Sequence, residues 1–208
     1  MKSFYKYLIF FVIGILSLII FKKDLIEGFG YICGLTIDTA WDPLPDDDLR
    51  CRNKGTYKDG NHPVEICNKA IHSFQHYSID VKKQSKWYNS EPIPKSDQPI
   101  FFNCVVIATT KLNEYYVLKF LHKIEAEFGR RRNEINEPRS IDLDLIDYSN
   151  KVLNNKNLII PHPRAHLRKF VMGPLAEINP YWIHPILKVN VLDILKKLDK
   201  QKLEEASI

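Results

Sequence analysis

The sequence predicts an α+β sandwich in which helices lie on one face of an antiparallel sheet. Beyond residue 60, apolar periodicity gives the order helix, strand, strand, helix, strand, which becomes a split βαβ arrangement if one more strand precedes it. With 208 residues, 45% of them hydrophobic and 26% charged, the chain has the composition of a folded domain with one sizeable core. Its four cysteines include no C-x-x-C pair, which argues against a disulfide framework or a structural zinc site and favours a reducing compartment.

An apolar segment opens the chain. Residues 7–21 contain no charged side chain and are bracketed by lysines on both sides. The run is slightly shorter than the ~17 to 25 residues of a typical spanning helix, although flanking lysines can extend it. We predict an apolar N-terminal helix over residues 1–23, and three interpretations stay open: a membrane anchor, a core element, or sequence outside the working protein.

Residues 24–60 are predicted to form a linker or a degenerate first strand. The segment from Tyr31 to Ile37 has the character of a strand, but residues 42–50 (DPLPDDDLR) and 54–61 (KGTYKDGN) are rich in turn-forming residues. The predicted working domain therefore covers residues 61–208.

The first helix is predicted over residues 63–75. Pro63 suits the first helical turn, and apolar residues from Val64 to Phe74 recur at spacings that one helix face can hold. Residues 79–90 (IDVKKQSKWYNS) then predict a strand from their β-branched and aromatic ends. The following EPIPKSDQP contains three prolines, which exclude regular structure and predict an ordered or gating loop.

Residues 101–110 (FFNCVVIATT) give the strongest strand prediction, and the longest helix follows them. Asn113 is a suitable N-cap, an apolar stripe runs from Val117 to Phe128, and Gly129 is a typical stop. Strand and helix together continue the predicted order.

The last predicted strand, residues 140–146 (SIDLDLI), carries paired carboxylates. Side chains alternate between the two faces of a strand, so its apolar residues are expected in the core. Asp142 and Asp144 then point together to the other side, with Cα atoms about 7 Å apart. Such a pair suits Mg²⁺, which takes a few carboxylate oxygens together with waters and substrate phosphates. The alternative is a solvated acidic edge.

Arginines concentrate near these aspartates. Six of the eight arginines lie between Arg130 and Arg168, whereas the formal charge of +5 for the whole chain names no partner. A guanidinium presents a planar fork of donors that binds phosphate or carboxylate in a bidentate manner. The second half of the chain is therefore predicted to bind an anion.

Two stretches resemble a known family. The runs GRRRNEINEPRSIDLDLIDY (129–148) and IIPHPRAHLRKFVMGPLAEINPYWIHP (159–185) are similar to the 6-hydroxymethyl-7,8-dihydropterin pyrophosphokinases of the folate pathway. Their signature is G-R-x-R, then P-R-x-x-D-x-D, then P-H-x-x-x-x-x-R-x-F. The resemblance covers roughly residues 62–199 and implies a ferredoxin-like fold. It also implies the reaction, in which the hydroxymethyl oxygen of a reduced pterin attacks the β-phosphorus of ATP, pyrophosphate is transferred and AMP leaves.

The resemblance implies a role for each matching residue. The catalytic positions, of which the two aspartates would bind two Mg²⁺ ions, are Arg130, Arg139, Asp142 and Asp144. The positions matching ATP contacts are Glu125, Arg132, His162 and Arg168. The pterin-binding positions, which act through an amide, ring stacking or the backbone, are Asn103, Phe101, Phe170, Ser90 and Ile93.

The chain departs from the family pattern at the first strand, which usually ends in a G-S-N-type turn that has no clean copy here. That strand would lie centrally in the sheet, so its loss would leave neighbouring backbone groups unpaired. One alternative function is therefore a membrane-tethered pseudoenzyme that binds pterin or nucleotide without turnover. Another is a nucleic-acid-binding module, although aspartates beside the arginines would repel phosphate in the absence of a metal.

The expected partners are ATP and a reduced pterin, with no nucleic acid, and the expected state is a monomer. Because both substrates are cytosolic, we expect a cytoplasmic catalytic domain. If residues 7–21 contact a membrane, the domain would be tethered to its inner face.

Overall fold

The computed structural model describes residues 30–40, by backbone only, and residues 63–91, 100–128 and 141–207. The strands are β1 (Gly30–Ala40), β2 (Ile79–Gln84), β3 (Tyr88–Ser90), β4 (Phe101–Thr110), β5 (Asp142–Leu145), β6 (Leu153–Asn154), β7 (Ile159–Ile160) and β8 (Glu204–Glu205). The helices are α1 (Pro63–Ser73), α2 (Glu114–Glu127), α3 (Lys169–Ile178) and α4 (Val191–Lys196), and short 3₁₀ turns cover Phe74–Tyr77 and Ala165–Leu167.

The main sheet is antiparallel throughout and confirms the predicted α+β class. Its strand order is β5-β1-β4-β3-β8, and β2 also pairs with β4. The central strand β1 lies in the segment for which the sequence allowed either a linker or a first strand. The predicted apolar helix over 1–23 lies outside the described residues. Within the described ranges, no helix is both long and apolar enough to cross a membrane.

Strand β4 carries a continuous apolar run over residues 104–108 because helices cover both of its faces there. On one side Cys104, Val106 and Ala108 belong to a core cluster with residues of α1 and α2. On the other side Val105 and Ile107 belong to a second cluster with residues of α3 and α4. A strand buried on both faces has a continuous apolar run instead of an alternating one. The prediction that helices lie on one face of the sheet was therefore wrong, since α3 and α4 cover part of the second face.

The strand predicted over 79–90 is divided into β2 and β3 at Ser85. The Ser85 N–H donates to the Val105 carbonyl at 2.9 Å, and the Ser85 hydroxyl accepts from the Val105 N–H at 3.0 Å. Ser85 thus satisfies both the N–H and the carbonyl of Val105, and the Ser85 hydroxyl takes the place of a backbone acceptor on a neighbouring strand. After this break between the two strands, the Trp87 side chain packs in the core, where it is 7% exposed.

The predicted helix cap is confirmed at Asn113. Its side-chain oxygen accepts a hydrogen bond from the Tyr116 N–H at 3.0 Å, which satisfies one donor of the first turn of α2. The apolar stripe of this helix is buried, with Val117, Leu121 and Ile124 each 0% exposed. Helix α2 is thereby fixed against the face of the sheet opposite to the two aspartates of β5.

Candidate active site

Strand β5 presents its two aspartates on one face of the sheet. Leu143 and Leu145 are 2% and 4% exposed and pack in the core, while Asp142 and Asp144 are half-buried. This is the alternation that the sequence predicted, and it leaves both carboxylates accessible from the same side.

Asn103 lies on the same face as the aspartates. Asn103 of β4 and Asp142 of β5 are both in register with Asp38 of β1, one from each side. Residues directly opposite each other on neighbouring strands share a face, so the three strands place Asn103 and Asp142 about 10 Å apart. Phe101 precedes Asn103 by two residues and therefore shares that face.

Asn103 is completely buried and only partly satisfied. Its amide nitrogen donates to the Ser90 hydroxyl at 2.9 Å, and it lies 3.3 Å from the Tyr88 carbonyl and 3.2 Å from the Phe101 carbonyl. Its side-chain oxygen has no hydrogen-bond partner among the described residues. A buried acceptor left without a partner costs free energy, which makes it a candidate ligand-binding group.

His162 and Arg168 converge on Asp144 from the segment after β7. The His162 N–H donates to the Ile146 carbonyl at 2.8 Å, which attaches this segment to the end of β5. His162 Nε2 lies 3.8 Å, and Arg168 Nη1 3.7 Å, from Asp144 Oδ2. The Arg168 guanidinium also lies 5.4 Å from the centre of the Phe170 ring. The structure thus brings four of the predicted site residues together.

The His162 ring is neutral at neutral pH. Burial, together with the charges of the nearby Arg168 and Arg164, lowers its pKa to about 4. The Arg164 N–H donates to His162 Nδ1 at 3.3 Å, so the ring proton is on Nε2, the nitrogen that faces Asp144. Among the described residues, Arg168 is then a cation next to Asp144, and the imidazole contributes an uncharged N–H donor.

Glu125 lies apart from this convergence. It is 1% exposed, and its carboxylate accepts a hydrogen bond from the Leu143 N–H at 2.8 Å. This contact joins Glu125 to the backbone between the two aspartates. Arg130, Arg132, Arg139 and Ile93 lie outside the described residues, and their roles stay predictions.

The two aspartates fit a magnesium site that is completed by substrate. Within the described ranges, no group of three or more histidine, cysteine, aspartate or glutamate side chains is arranged to hold a metal. Mg²⁺ does not require such a cage, because it binds through one or two carboxylates and keeps waters and phosphate oxygens as its other ligands. Asp142 and Asp144 provide that kind of donor set.

Sequence reasoning missed a buried polar cluster behind the site. Asp147 accepts a hydrogen bond from the Trp182 indole at 2.9 Å, and burial raises the pKa of Asp147 to about 6. The Trp182 ring lies 5.5 Å from the His184 ring, which in turn lies 5.2 Å from the His166 ring. The cluster links the end of β5 to the segment that carries Arg168. A tryptophan and an aspartate 35 residues apart give no local signal of such a pairing.

His184 should make the protein less stable in acid. It is 3% exposed, and burial lowers its pKa to about 4 from an ordinary value of 6.5. Between these values the unfolded chain binds a proton that the folded protein does not, so the free energy of unfolding falls as the pH falls. One such group accounts for about 2 kcal/mol between pH 7 and pH 5. His184→Gln should reduce the loss by that amount in urea unfolding at both pH values.

His76→Gln, at an exposed histidine, is the matched control and should leave the pH dependence unchanged. Asp147 acts in the opposite direction below about pH 6, because its raised pKa lets the folded state bind a proton that the unfolded state has lost. An unchanged loss of stability in His184→Gln would show that His184 is not the responsible group.

Comparison with known proteins agrees with the α+β fold. The sequence model of 7,8-dihydro-6-hydroxymethylpterin-pyrophosphokinase matches residues 59–180. A 2-amino-4-hydroxy-6-hydroxymethyldihydropteridine pyrophosphokinase of Haemophilus influenzae is 33% identical over 144 residues, covering 69% of this chain and 89% of the relative. Its counterpart in Synechocystis is 38% identical over 121 residues, covering 58% of this chain and 62% of the relative.

Two larger proteins match over part of their length. A folic acid synthesis protein of Pneumocystis carinii is 38% identical over 135 residues, covering 65% of this chain and 18% of the relative. The chain thus spans less than two thirds of the Pneumocystis and Synechocystis relatives. The crystal structure of a Plasmodium falciparum HPPK-DHPS protein matches with a TM-score of 0.56 at 14% identity, covering 81% of this chain and 45% of that one, and shows the likeness of fold.

Fold and site together define an α+β protein with paired carboxylates on an open part of its sheet. The family match covers more than half of the chain. The chain belongs to the 7,8-dihydro-6-hydroxymethylpterin-pyrophosphokinase family.

Proposed function

We propose that this chain transfers pyrophosphate from ATP to the hydroxymethyl group of 6-hydroxymethyl-7,8-dihydropterin and releases AMP, as a step of folate biosynthesis. The observation that carries the proposal is the common face of Asp142, Asp144 and Asn103. A metal–phosphate site and a buried amide acceptor on strand positions about 10 Å apart are what a nucleotide and a flat, donor-rich ring require.

Arg168 and His162 support the ATP side of the proposal. Arg168 is held over Phe170 and beside Asp144, so its guanidinium is oriented before substrate binds. The neutral His162 ring offers its Nε2 proton to a phosphate oxygen without adding charge. We assign these two residues to the triphosphate, where fixed donors stabilise the charge that shifts between oxygens during phosphoryl transfer.

Asn103 supports the pterin side. The amino group and ring N–H of a pterin are adjacent donors, and the Asn103 oxygen is a buried acceptor that has no partner among the described residues. The Asn103 amide nitrogen is engaged with Ser90, which fixes the side-chain rotamer that presents this oxygen. Phe101 and Phe170 are both half-buried and are proposed to stack on the ring.

Asp142 and Asp144 are proposed to hold two Mg²⁺ ions together with the triphosphate. When bound, such ions neutralise the phosphate charge and align the β-phosphorus with the hydroxymethyl oxygen. The new bond joins that oxygen to the β-phosphorus, and the hydroxyl proton passes to solvent. The bond between the β-phosphorus and the oxygen that bridges it to the α-phosphorus breaks, and this oxygen leaves with AMP. Arg130, Arg132 and Arg139 are proposed to contact the same phosphates.

The proposal also covers the fold and the position where the working domain begins. Strands β5, β1, β4 and β2 have the order and antiparallel pairing of a ferredoxin-like split βαβ unit, and we propose that the working domain begins at β1 and not at residue 61. Because β1 pairs with both β4 and β5, the defective first strand on which the pseudoenzyme alternative depends has no support. A monomeric state and contact of residues 7–21 with a membrane stay predictions.

AMP release tests the function directly. The purified protein should form AMP from ATP only when 6-hydroxymethyl-7,8-dihydropterin and Mg²⁺ are both present. AMP formation that does not depend on the pterin would contradict the assignment, as would binding of both substrates without turnover.

Asn103→Ala should weaken pterin binding selectively. Loss of a placed hydrogen bond to a buried ligand donor costs about 1–3 kcal/mol, so the KM for the pterin should rise on the order of 10- to 100-fold. The KM for ATP should change little, because Asp142 and Arg168 are untouched. Asn157→Ala, at an exposed asparagine, is the control. An equal rise in the KM for the pterin and in the KM for ATP would show that Asn103 supports the fold and does not bind the pterin selectively.

A further inference from the structure

We infer that Glu125 is a positioning residue, which holds the metal-binding strand β5 in place through the peptide between its two aspartates. The inference rests on the proposed function for the role of those aspartates. It differs from the role in ATP contact that the family resemblance implies for this residue.

Among the residues that the structure describes, strand β5 has a strand neighbour on one side only. Within the described part of the chain it pairs with β1, where Leu143 is in register with Ile37. The backbone N–H groups of successive residues in an antiparallel strand point to opposite edges, so an edge strand carries donors without a strand partner. The Leu143 N–H donates to Glu125 Oε1 at 2.8 Å. A side chain of α2 therefore accepts a hydrogen bond from the edge of β5 that faces away from β1.

The contact is buried and involves an ionisable acceptor. Glu125 is 1% exposed and Leu143 is 2% exposed, so little water competes for the hydrogen bond. A carboxylate or an amide oxygen at this position can accept from the Leu143 N–H, so the contact depends on the reach of the side chain. Burial on α2 among the core residues Leu121 and Ile124 also leaves the Glu125 side chain little surface for a nucleotide.

Movement of this one peptide would move both metal ligands. Leu143 stands between Asp142 and Asp144, so any shift of its backbone changes the separation or direction of the two carboxylates. Catalysis by phosphoryl transfer depends on alignment, and a misplacement of about 1 Å can cost on the order of 100-fold in rate. The Glu125 contact is thus placed where a small displacement has a large effect on metal binding.

Two substitutions distinguish the effect of the length of the Glu125 side chain, here called its reach, from the effect of its charge. Glu125→Gln keeps an oxygen at the same distance from Leu143 and removes the charge, whereas Glu125→Asp keeps the charge and withdraws it by one methylene. If Glu125 positions β5, Glu125→Gln should retain kcat within about threefold, and Glu125→Asp should raise the Mg²⁺ concentration for half-maximal activity at saturating ATP by about tenfold or more. Glu127→Gln and Glu127→Asp, at an exposed position of the same helix, are matched controls.

The opposite order would overturn the inference. If Glu125→Gln were damaged and Glu125→Asp were not, the charge would be what matters, as a contact with nucleotide or metal requires. Wild-type activity and a wild-type Mg²⁺ response in both variants would show that neither reach nor charge matters, and equal damage in both would contradict a role that depends on reach alone. Thermal unfolding of each variant shows whether the variant is folded. A Glu125→Asp protein that is folded must still show the altered Mg²⁺ response if Glu125 positions β5.

A binding measurement keeps this inference separate from the proposed function. Mn²⁺ binding in the presence of α,β-methylene ATP, followed by electron paramagnetic resonance, needs no turnover. Weaker Mn²⁺ binding in Glu125→Asp than in Glu125→Gln would support the positioning role even if the wild-type protein formed no AMP. Identical Mn²⁺ binding in the two variants would contradict it even if the wild-type protein were fully active.

Discussion

Asp142→Ala and Asp144→Ala should each abolish AMP formation without unfolding the protein. Both side chains are half-buried on an open face of β5, so their removal creates no cavity in the core. Each carboxylate is one of only two that this strand offers to a metal, and without it the triphosphate charge is not compensated. We expect kcat to fall on the order of 1,000-fold or more, as measured by pterin-dependent AMP release.

Asp80→Ala provides the comparison, because Asp80 is an exposed aspartate of β2 whose side chain is 60% accessible. It should retain wild-type activity, and all three variants should unfold at similar temperatures. Activity close to that of wild type in Asp142→Ala or Asp144→Ala would remove the metal site from the mechanism, whatever the family of the chain.

Those parts of the structure that depend on local patterns were predictable from sequence. The period-two alternation in β5 correctly placed the leucines in the core and the aspartates on the opposite face. The Asn113 cap likewise followed from a side chain and a backbone donor three residues apart. In both cases the interaction lies within one element, so the sequence contains all the information that the geometry needs.

The shape of the site depends on contacts between distant segments of the chain. It could not be predicted from local sequence patterns. Asp144 meets Arg168 only because the segment after β7 is bonded back to Ile146. Family resemblance suggested that both residues act on ATP, but it did not show their 3.7 Å approach. The pairing of Asp147 with Trp182 and the edge contact of Glu125 with β5 are long-range in the same sense.

Strand β1 shows why the first strand was difficult to predict. Its sequence (GYICGLTIDTA) includes two glycines and an aspartate, which are depleted in strands. Its pairing with β4 also contains an irregularity between Cys33 and Leu35. The strand is specified by two neighbours that lie more than 60 residues further along the chain, not by local propensity.

A chain that begins at Asn61 should therefore fail to fold, whereas one that begins at Glu27 should fold and remain active. Within the described part of the chain, β5 pairs only with β1, so removal of β1 separates Asp142 and Asp144 from the strand that carries Asn103. It also leaves one edge of β4 unpaired along its length, which favours aggregation. Circular dichroism on heating should show a cooperative transition for the longer chain and none for the shorter one.

The same two chains test where the working domain begins. The chain from Glu27 retains β1 and every residue assigned to the site, so its pterin-dependent AMP release should equal that of the full chain. Loss of activity in that chain would show that the apolar run at 7–21 is part of the core, which is one of the alternatives left open by its sequence. Full activity in the chain from Asn61 would show that the sheet does not need β1, and that β4 and β5 reach each other in another way.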